Sequence, residues 1–221
     1  HIDLGLTQDS AGISMLHVMG HKNVTRLKSD GLPVKVKVPM IYVDFIMKIT
    51  PPPGSQIDIG KIREFVLQLA QMGVPIGFIT MDAFQSADSL QIFAKAGYNV
   101  KVVSVDKKAD AYVSLRDCIQ EVRISYYKYE PFNDEILKVQ FDRIKYKVDH
   151  PIGGSKDCSD AVAGALFQCI SDVGSEDAGL SPLATKKATQ PTREEVMRRT
   201  DFVIRDHPDH EHIDMDIFEE N

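Results

Sequence analysis

Two aspartates three residues apart lie in the segment "DHPIGGSKDCSDAVAGAL" (149–166), and their type and spacing could support chemistry. Asp157 and Asp160 fall on the first turn of a predicted helix, so they share one face. The residues that follow are small and apolar enough to be buried. A buried or half-buried carboxylate is costly unless something pairs with it. The segment therefore predicts a partner for these two carboxylates.

Two further aspartates lie on predicted strands that can meet such a helix. Asp3 is in the middle of the first strand, where aspartate is uncommon. Asp82 directly follows the apolar run "PIGFITM", at the carboxyl end of the fourth strand, and sites are built at that end in sheets with crossover connections. Taken singly, Asp157 could be a helix cap and Asp82 a cap or turn residue. Taken together, the aspartates are expected to converge.

Converging carboxylates predict a metal centre. Three or four of them at one point repel each other unless cations neutralise them. Oxygen-only ligands suit Mg²⁺ or Mn²⁺, and two such ions about 3.5–4 Å apart can clamp the attacking water and the leaving oxygen of a phosphodiester. We therefore expect a two-ion hydrolytic site without a nucleophilic side chain. Its expected catalytic and metal-binding residues are Asp3, Asp82, Asp157 and Asp160.

The elements that must position these residues follow the order β-β-β-α-β-α-β-α and then more helix. Three early strands joined by hairpins predict an antiparallel half, and later strands alternating with helices predict parallel crossovers. The fold expected is α/β, with a mixed five-stranded sheet and helices on both faces. Residues 133–147 are predicted as a helix, and the last helix is expected over roughly 156–170. Its small residues (Ala161, Ala163, Gly164 and Ala165) would let it approach the sheet closely.

The composition limits the class of protein. The chain has 221 residues, 43% of them hydrophobic, which is enough for one substantial core. Its net charge is −6, but residues 201–221 alone hold eight acids and one base, so a phosphate-binding face is not excluded. We expect a domain over 1–175 and a charged extension over 176–221. No apolar run has the roughly 18–20 residues of a membrane span, and the three cysteines lack zinc-site spacing and predict free thiols.

Other residues are weaker candidates, each with a simpler alternative. Asp9 could approach the metals or form a turn, and Asp44 could be a fifth acid or an ordinary strand residue. His150 could shuttle protons or belong to a loop. A basic hairpin arm could touch the DNA backbone or be merely solvated. Its cations are Lys22, Arg26, Lys28, Lys35 and Lys37.

Two more patterns stay open. Gln85 and Ser86 could contact phosphate or simply begin a helix. The segment "HPDHEHIDMD" (207–216) could bind zinc, but an acidic, disordered tail explains it better.

Three segments together resemble one protein family. "HIDLGLTQDSAGISM", "ITMDAFQSADSLQIFAKAGYNVKVVSVD" and "DHPIGGSKDCSDAVAGAL" are similar, in order and spacing, to the nuclease domain of the large terminase subunit of tailed bacteriophages. The resemblance covers roughly residues 1–170. It implies a ribonuclease H-like fold and a metal-dependent endonuclease that cuts concatemeric viral DNA during packaging.

The resemblance also implies roles and partners. Asp3 matches the first-strand ligand that bridges both ions, and Asp82 matches the acidic residue after the fourth strand. Asp160 matches the helix aspartate of the family, and Asp157 matches an extra acidic position of related resolvases. Double-stranded DNA, the small terminase subunit and the portal would be the partners, in the cytoplasm of the host cell. The chain has no GxxxxGK[S/T] motif. The chain starts inside a predicted strand without Met, so we expect further domains upstream. The resemblance implies that these include an ATPase motor domain.

Two alternatives remain at this stage. A Holliday-junction resolvase or transposase would share the fold but cut junctions or DNA ends. A non-catalytic DNA-docking module of a packaging machine would not cut at all.

Overall fold

The computed structural model describes residues 1–5, 10–83 and 86–177. The strands in this part of the chain are Ile2–Asp3 (β1), Ala11–Leu27 (β2), Pro33–Ile49 (β3), Phe78–Met81 (β4), Asn99–Val102 (β5), Ile124–Ser125 (β6), Gln140–Asp142 (β7) and Lys147–Asp149 (β8). The helices are Ile59–Gln71 (α1), Ala87–Lys95 (α2), Asp110–Gln120 (α3), Glu130–Ile136 (α4) and Asp157–Asp177 (α5). The fold is mixed α/β, as predicted.

The main sheet has the order β5-β4-β1-β2-β3-β6. β1, β2 and β3 are successively antiparallel. β4 runs parallel to β1, and β5 runs parallel to β4. The predicted antiparallel and parallel parts are therefore both present, and β1 lies where they meet. β6 adds a further parallel strand at the other edge, beside β3.

Helices cover both faces of the sheet. Alternate residues of the strands contribute side chains to two separate apolar cores, one on each face. Ile13 and Met81 belong to a core with α1 and α2 residues such as Leu67 and Phe93. On the opposite face, the core that includes Val43 contains residues of α3, α4 and α5. Successive strand side chains point to opposite faces, so a polar residue next to a core residue of one face is directed at the other.

Local sequence signals set the ends of α1. Asp58 caps its amino end, and the carboxylate of Asp58 accepts hydrogen bonds from the backbone N–H groups of Gly60 and Lys61. Gly73 follows the carboxyl end with a φ of +90°, a conformation that glycine adopts without strain. Both ends of α1 are therefore marked by residue types that favour these positions.

Two predictions about the strands are wrong. The sheet has six strands in the described residues, not five, because β6 adds to the edge of β3 through Ile41. The helix predicted over 133–147 ends at Ile136, and β7 and β8 form a separate hairpin. Asp142 explains the hairpin: its carboxylate accepts hydrogen bonds from the backbone N–H groups of Ile144 and Lys145, which favours a turn over a helix.

β2 and β3 are much longer than their neighbours, at 17 residues each. Their distal parts form the hairpin arm that the basic segment suggested. β2 runs antiparallel to β1, with Asp3 opposite Gly12 and Ile2 opposite Ile13. The arm therefore extends past the amino end of β1, away from Asp3.

No helix in the described part of the chain has the length and apolar character needed to cross a bilayer. In this part of the chain, Cys118, Cys158 and Cys169 form no disulfide bond. Asp9, Gln85 and the histidine-rich segment 207–216 lie outside the described residues.

Candidate active site

A row of residues across the sheet forms the floor of the candidate site. Gly12 on β2 is the register partner of Asp3 on β1 and of Lys48 on β3. Neighbouring strands are about 4.8 Å apart, so Asp3 and Lys48 are separated by about 10 Å with Gly12 between them. Asp82 extends the row on the other side of Asp3, because it directly follows Met81, the partner of Ile2. Asp3 and Asp82 both follow residues of the α1–α2 core, so both are directed at the α5 face.

The first turn of α5 rests on the middle of this row. A β-carbon at Gly12 would lie only 1.9 Å from the backbone carbonyl oxygen of Asp157, so a side chain there would push the helix away. Ser14 Oγ donates a hydrogen bond of 2.8 Å to the carbonyl oxygen of Ala161, which fixes the next turn. The predicted close approach of α5 is confirmed, and Ala161 and Ala163 are fully buried.

Asp160 is buried, and both of its carboxylate oxygens have partners. Its exposed fraction is 3%. Tyr112 on α3 donates a hydrogen bond of 2.5 Å to Oδ1, and the Lys156 ammonium contacts Oδ2. The same ammonium lies 2.5 Å from Asp106 Oδ1. We call these residues (Asp106, Lys156, Asp160 and Tyr112) the Lys156 cluster.

Asp157 belongs to a second group, around Lys48. The Lys48 ammonium lies 3.3 Å from Asp157 Oδ2 and 2.8 Å from Glu135 Oε1. Ser155 Oγ lies within hydrogen-bond distance of both carboxylates, and the backbone N–H of Ser159 donates to Glu135 Oε2 at 2.9 Å. Glu135 on α4 therefore satisfies one of the free N–H groups at the start of α5. We call these residues (Lys48, Glu135, Ser155 and Asp157) the Lys48 cluster.

Asp3 lies between the two clusters and carries the least compensated charge. Burial raises the pKa of Asp3, and the negative charge of Asp160 raises it further. The Lys156 ammonium opposes this rise, whereas Asp157 and Asp106 add to it. Among the described residues, no donor forms a hydrogen bond with the Asp3 carboxylate. Asp3, Asp106 and Asp160 thus share one ammonium group, which leaves the site negative.

The pKa values of the neighbouring groups reflect the same crowding. Burial raises the pKa of Asp160 despite the opposing charge of Lys156. Burial also raises the pKa of Asp157, against the hydrogen bond from Ser155 and the charge of Lys48. For Lys156, burial lowers the pKa, but the charges of Asp160 and Asp106 outweigh it, so the pKa lies above the ordinary value.

Asp82 occupies the open side of the site. It is half-buried, and Ser104 Oγ donates a hydrogen bond of 3.0 Å to its Oδ1. Ser104 and Asp106 follow β5, just as Asp82 follows β4, so these residues come together at the carboxyl ends of two parallel strands. The structure therefore brings all of the sequence-predicted aspartates to one end of the sheet, with Asp157 turned toward Lys48.

The donor set fits Mg²⁺ or Mn²⁺ in its chemistry. The side chains around Asp3 offer carboxylate oxygens, which are the ligands that both ions prefer, and the Asp3 carboxylate lacks a hydrogen-bond donor among the described residues. Within residues 1–5, 10–83 and 86–177, however, no three acidic, histidine or cysteine side chains already have the geometry of a metal site. In this arrangement the Lys156 ammonium takes the oxygen of Asp160 that an ion would need.

Sequence reasoning missed several residues of the site. Lys156 could have been found, because it lies one turn before Asp160 at the i, i+4 spacing of helix ion pairs. Asp106 also had a signal, since it follows β5 as Asp82 follows β4. Lys48, Glu135 and their pairing had none, because cross-strand register and the packing of α4 set them.

The weaker candidates lie away from Asp3. Asp44 pairs with His17 at 3.0 Å, so it is a satisfied strand residue. His150 is an exposed residue whose ring nitrogen lies 3.0 Å from the carbonyl oxygen of Pro151. In the arm, Arg26 pairs with Glu121 at 2.9 Å, and Lys22 contacts the carbonyl oxygens that end α3.

The arm and a large cavity both lie toward the amino end of β1, away from the carboxylates. Lys37 is paired with Asn23, which is 11 residues along β2 from Gly12, or about 35 Å. A cavity of about 910 Å³ opens at the amino ends of β1 and β4, where His1, Val66 and Gln168 are among its lining residues. Neither feature contacts the row of residues at Asp3.

The chain was compared with known proteins in three ways. Family models, curated proteins and solved structures each give no match.

Proposed function

We propose that the chain is a divalent-metal-dependent endonuclease that cuts double-stranded DNA, with a ribonuclease H-like fold and the role of a terminase nuclease domain in genome packaging. One observation carries the proposal: Asp3, Asp82 and Asp160, far apart in the sequence, lie together at one end of the sheet with fewer cations than carboxylates. The resemblance of the three sequence segments supplies the family and its context in the host cytoplasm, with the small terminase subunit and the portal as partners.

Asp3, Asp82 and Asp160 would hold the ions, and Asp157 is the nearest further carboxylate. Two ions held there would supply an activated water and would stabilise the oxygen that leaves the phosphodiester. The protein's own contribution is to fix the carboxylates before the ions arrive. Tyr112 orients Asp160 and Ser104 orients Asp82, while Asp3 is fixed by its place on β1 between β2 and β4.

The surroundings of the site suit a polyanionic substrate. Lys107 and Lys108 are exposed and directly follow Asp106, so cationic side chains flank the carboxylates on the open side. Lysines at such positions bind phosphate without reading base sequence, which favours a nuclease with little sequence specificity. The arm lysines are about 35 Å away and have no role at the phosphate that is cut.

A plasmid-cleavage assay with the 221-residue chain tests the proposal. Wild-type protein is expected to nick and linearise supercoiled plasmid in Mn²⁺ or Mg²⁺, but not in EDTA. Asp3→Asn is expected to abolish cleavage, whereas the matched control Asp44→Asn, whose carboxylate pairs with His17 away from the site, should cleave normally. Equal cleavage by wild type and Asp3→Asn would show that these carboxylates do not act.

The same assay separates the alternatives. A resolvase or transposase would prefer a four-way junction or a DNA end over linear duplex, and we expect no such preference. A non-catalytic docking module would bind duplex DNA but leave it intact at every metal concentration.

A further inference from the structure

Lys156 contacts an oxygen of Asp160 that a divalent ion would also use. Asp160 is 3% exposed, with Tyr112 on Oδ1 and the Lys156 ammonium on Oδ2. An ion that used Asp160 would therefore need the oxygen that the ammonium occupies. Lys156 itself is largely buried, with an exposed side-chain fraction of 11%.

The ammonium also has a second acceptor in a different environment. Asp106 Oδ1 lies 2.5 Å from Lys156 Nζ, and the Asp106 side chain is 52% exposed. One acceptor is thus buried and the other lies at the surface. If the ammonium left Asp160, it could keep its contact with Asp106 and remain beside the site.

Lys48 provides an internal comparison. It bridges Glu135 and Asp157, and both of these carboxylates are mostly buried, with side-chain exposures of 6% and 13%. Glu135 in turn accepts from the α5 backbone. Lys48 therefore has no exposed acceptor in its cluster. Displacing the Lys48 ammonium would destabilise the start of α5.

From these contacts we propose that Lys156 is a built-in counter-cation that competes with the divalent ion for Asp160, moving toward Asp106 when the ion binds. This inference rests on the proposed function, because it takes Asp3 and Asp160 as metal ligands. Lys156 is thus a positioning residue: it neutralises and fixes Asp160 in the metal-free protein and keeps the site from binding ions too tightly.

Mn²⁺ binding measured by isothermal titration calorimetry, without DNA, tests the competition. Lys156→Gln is expected to raise the affinity for Mn²⁺ by about tenfold or more, because it removes a positive charge next to a ligand. Lys128→Gln removes the same charge from an exposed pair with Glu130 outside the site and is expected to change the affinity by less than about twofold, since solvent screens it. A merely structural role for Lys156 predicts the opposite sign, since a disordered Asp160 would bind Mn²⁺ more weakly.

Lys156→Arg keeps the positive charge and provides a second test if the Lys156→Gln variant does not fold. A guanidinium can hold a carboxylate through two hydrogen bonds, so Lys156→Arg is expected to bind Mn²⁺ as weakly as the wild type or more weakly. Circular dichroism checks that each variant is folded. Unchanged or weaker Mn²⁺ binding by folded Lys156→Gln, or tighter binding by Lys156→Arg, would overturn the competition.

Asp3→Asn distinguishes this failure from failure of the proposed function. If wild type binds Mn²⁺ and Asp3→Asn does not, the metal site stands, and the Lys156 variants alone decide the competition. If wild type and Asp3→Asn bind Mn²⁺ equally, or neither binds it, both the proposed function and the competition are overturned.

Discussion

The Lys48 cluster and the Lys156 cluster have the same pattern of charges, one ammonium with two carboxylates, but different surroundings. Each places one ammonium between two carboxylates at the start of α5. In the Lys48 cluster, Glu135 also caps the helix backbone and both carboxylates are mostly buried. In the Lys156 cluster, Asp106 is half exposed and the uncompensated Asp3 lies alongside.

This difference suggests that the two clusters, which both include residues of the first turn of α5, have different roles. The closed Lys48 cluster anchors α5 to β3 and α4, and the open Lys156 cluster retains charge for chemistry. Two residues three apart, Asp157 and Asp160, thus belong to different networks although they share a helix face. We expect substitutions in the first cluster to affect stability most and those around Asp3 to affect activity most.

The largest expected effect is on catalysis. Asp3→Asn should reduce plasmid cleavage in Mn²⁺ on the order of 10³-fold or more, because metal ions supply several kcal/mol of transition-state stabilisation. Initial rates of nicking, measured by gel electrophoresis, give the ratio. Asp3→Asn is also expected to raise the melting temperature in EDTA, because it removes a poorly compensated charge. Loss of both activity and stability would contradict the assignment of Asp3 to chemistry rather than anchoring.

The next effect is on stability and concerns the Lys48 cluster. Glu135→Ala should lower the free energy of unfolding by about 3 kcal/mol, since it leaves a partly buried Lys48 without its closest carboxylate and the Ser159 N–H without an acceptor. Urea denaturation followed by circular dichroism measures the change. Glu130→Ala is the control on the same helix. Its pair with Lys128 is exposed, and its loss should change stability by less than about 1 kcal/mol. Equal losses of stability in the two variants would contradict the anchoring role of the Lys48 cluster.

Gly12 contacts the first turn of α5, which contributes residues to both clusters. A substitution of Gly12 therefore tests both clusters together. Gly12→Ala should cost about 2 kcal/mol of stability, because its β-carbon would meet the Asp157 carbonyl oxygen and displace α5. It should also weaken Mn²⁺ binding, since Asp160 moves with the helix. Gly20→Ala is the control on the same strand, where a β-carbon has no neighbour within 4 Å. Thermal denaturation and calorimetry of both variants give the comparison, and identical behaviour would contradict the close approach of α5.

The last expected effect is the pH dependence of stability without metal. Because the pKa of Asp3 is raised in the folded protein, the folded state holds a proton that the unfolded chain releases, so stability falls as pH rises. The fall begins near pH 4, where ordinary carboxyls titrate, and is complete above the raised pKa of Asp3. The stability advantage of Asp3→Asn over wild type should therefore grow with pH across this window. Urea titrations in EDTA at several pH values measure it, and a constant difference would show that Asp3 has an ordinary pKa.

The sequence was sufficient to predict the parts that depend on local pattern. Asp3 as an unusual strand residue, Asp82 after a buried strand and the paired aspartates of α5 were all visible, as were the α1 boundaries. The parts that depend on register and packing were not visible. The opposition of Gly12 to both Asp3 and Lys48 arises from strand alignment, and Glu135 acquires its role only when α4 packs against α5.

A local turn also explains why the helix predicted over 133–147 is not formed over its whole length. Residues 133–147 contain enough charged and apolar residues at helical spacing to predict a helix, but Asp142 ties its carboxylate to the following backbone. Such local hydrogen bonds compete with helix formation. The same segment supplies Glu135, which lies in the part of it that is helical.

The most direct test of the account is a crystal of the protein soaked with Mn²⁺, in which anomalous scattering locates the ions. We expect two peaks about 3.5–4 Å apart, within ligand distance of Asp3, Asp82 and Asp160, with the Lys156 ammonium displaced toward Asp106. Ions bound elsewhere, or none at all with Lys156 still on Asp160, would contradict the metal site and the nuclease built on it.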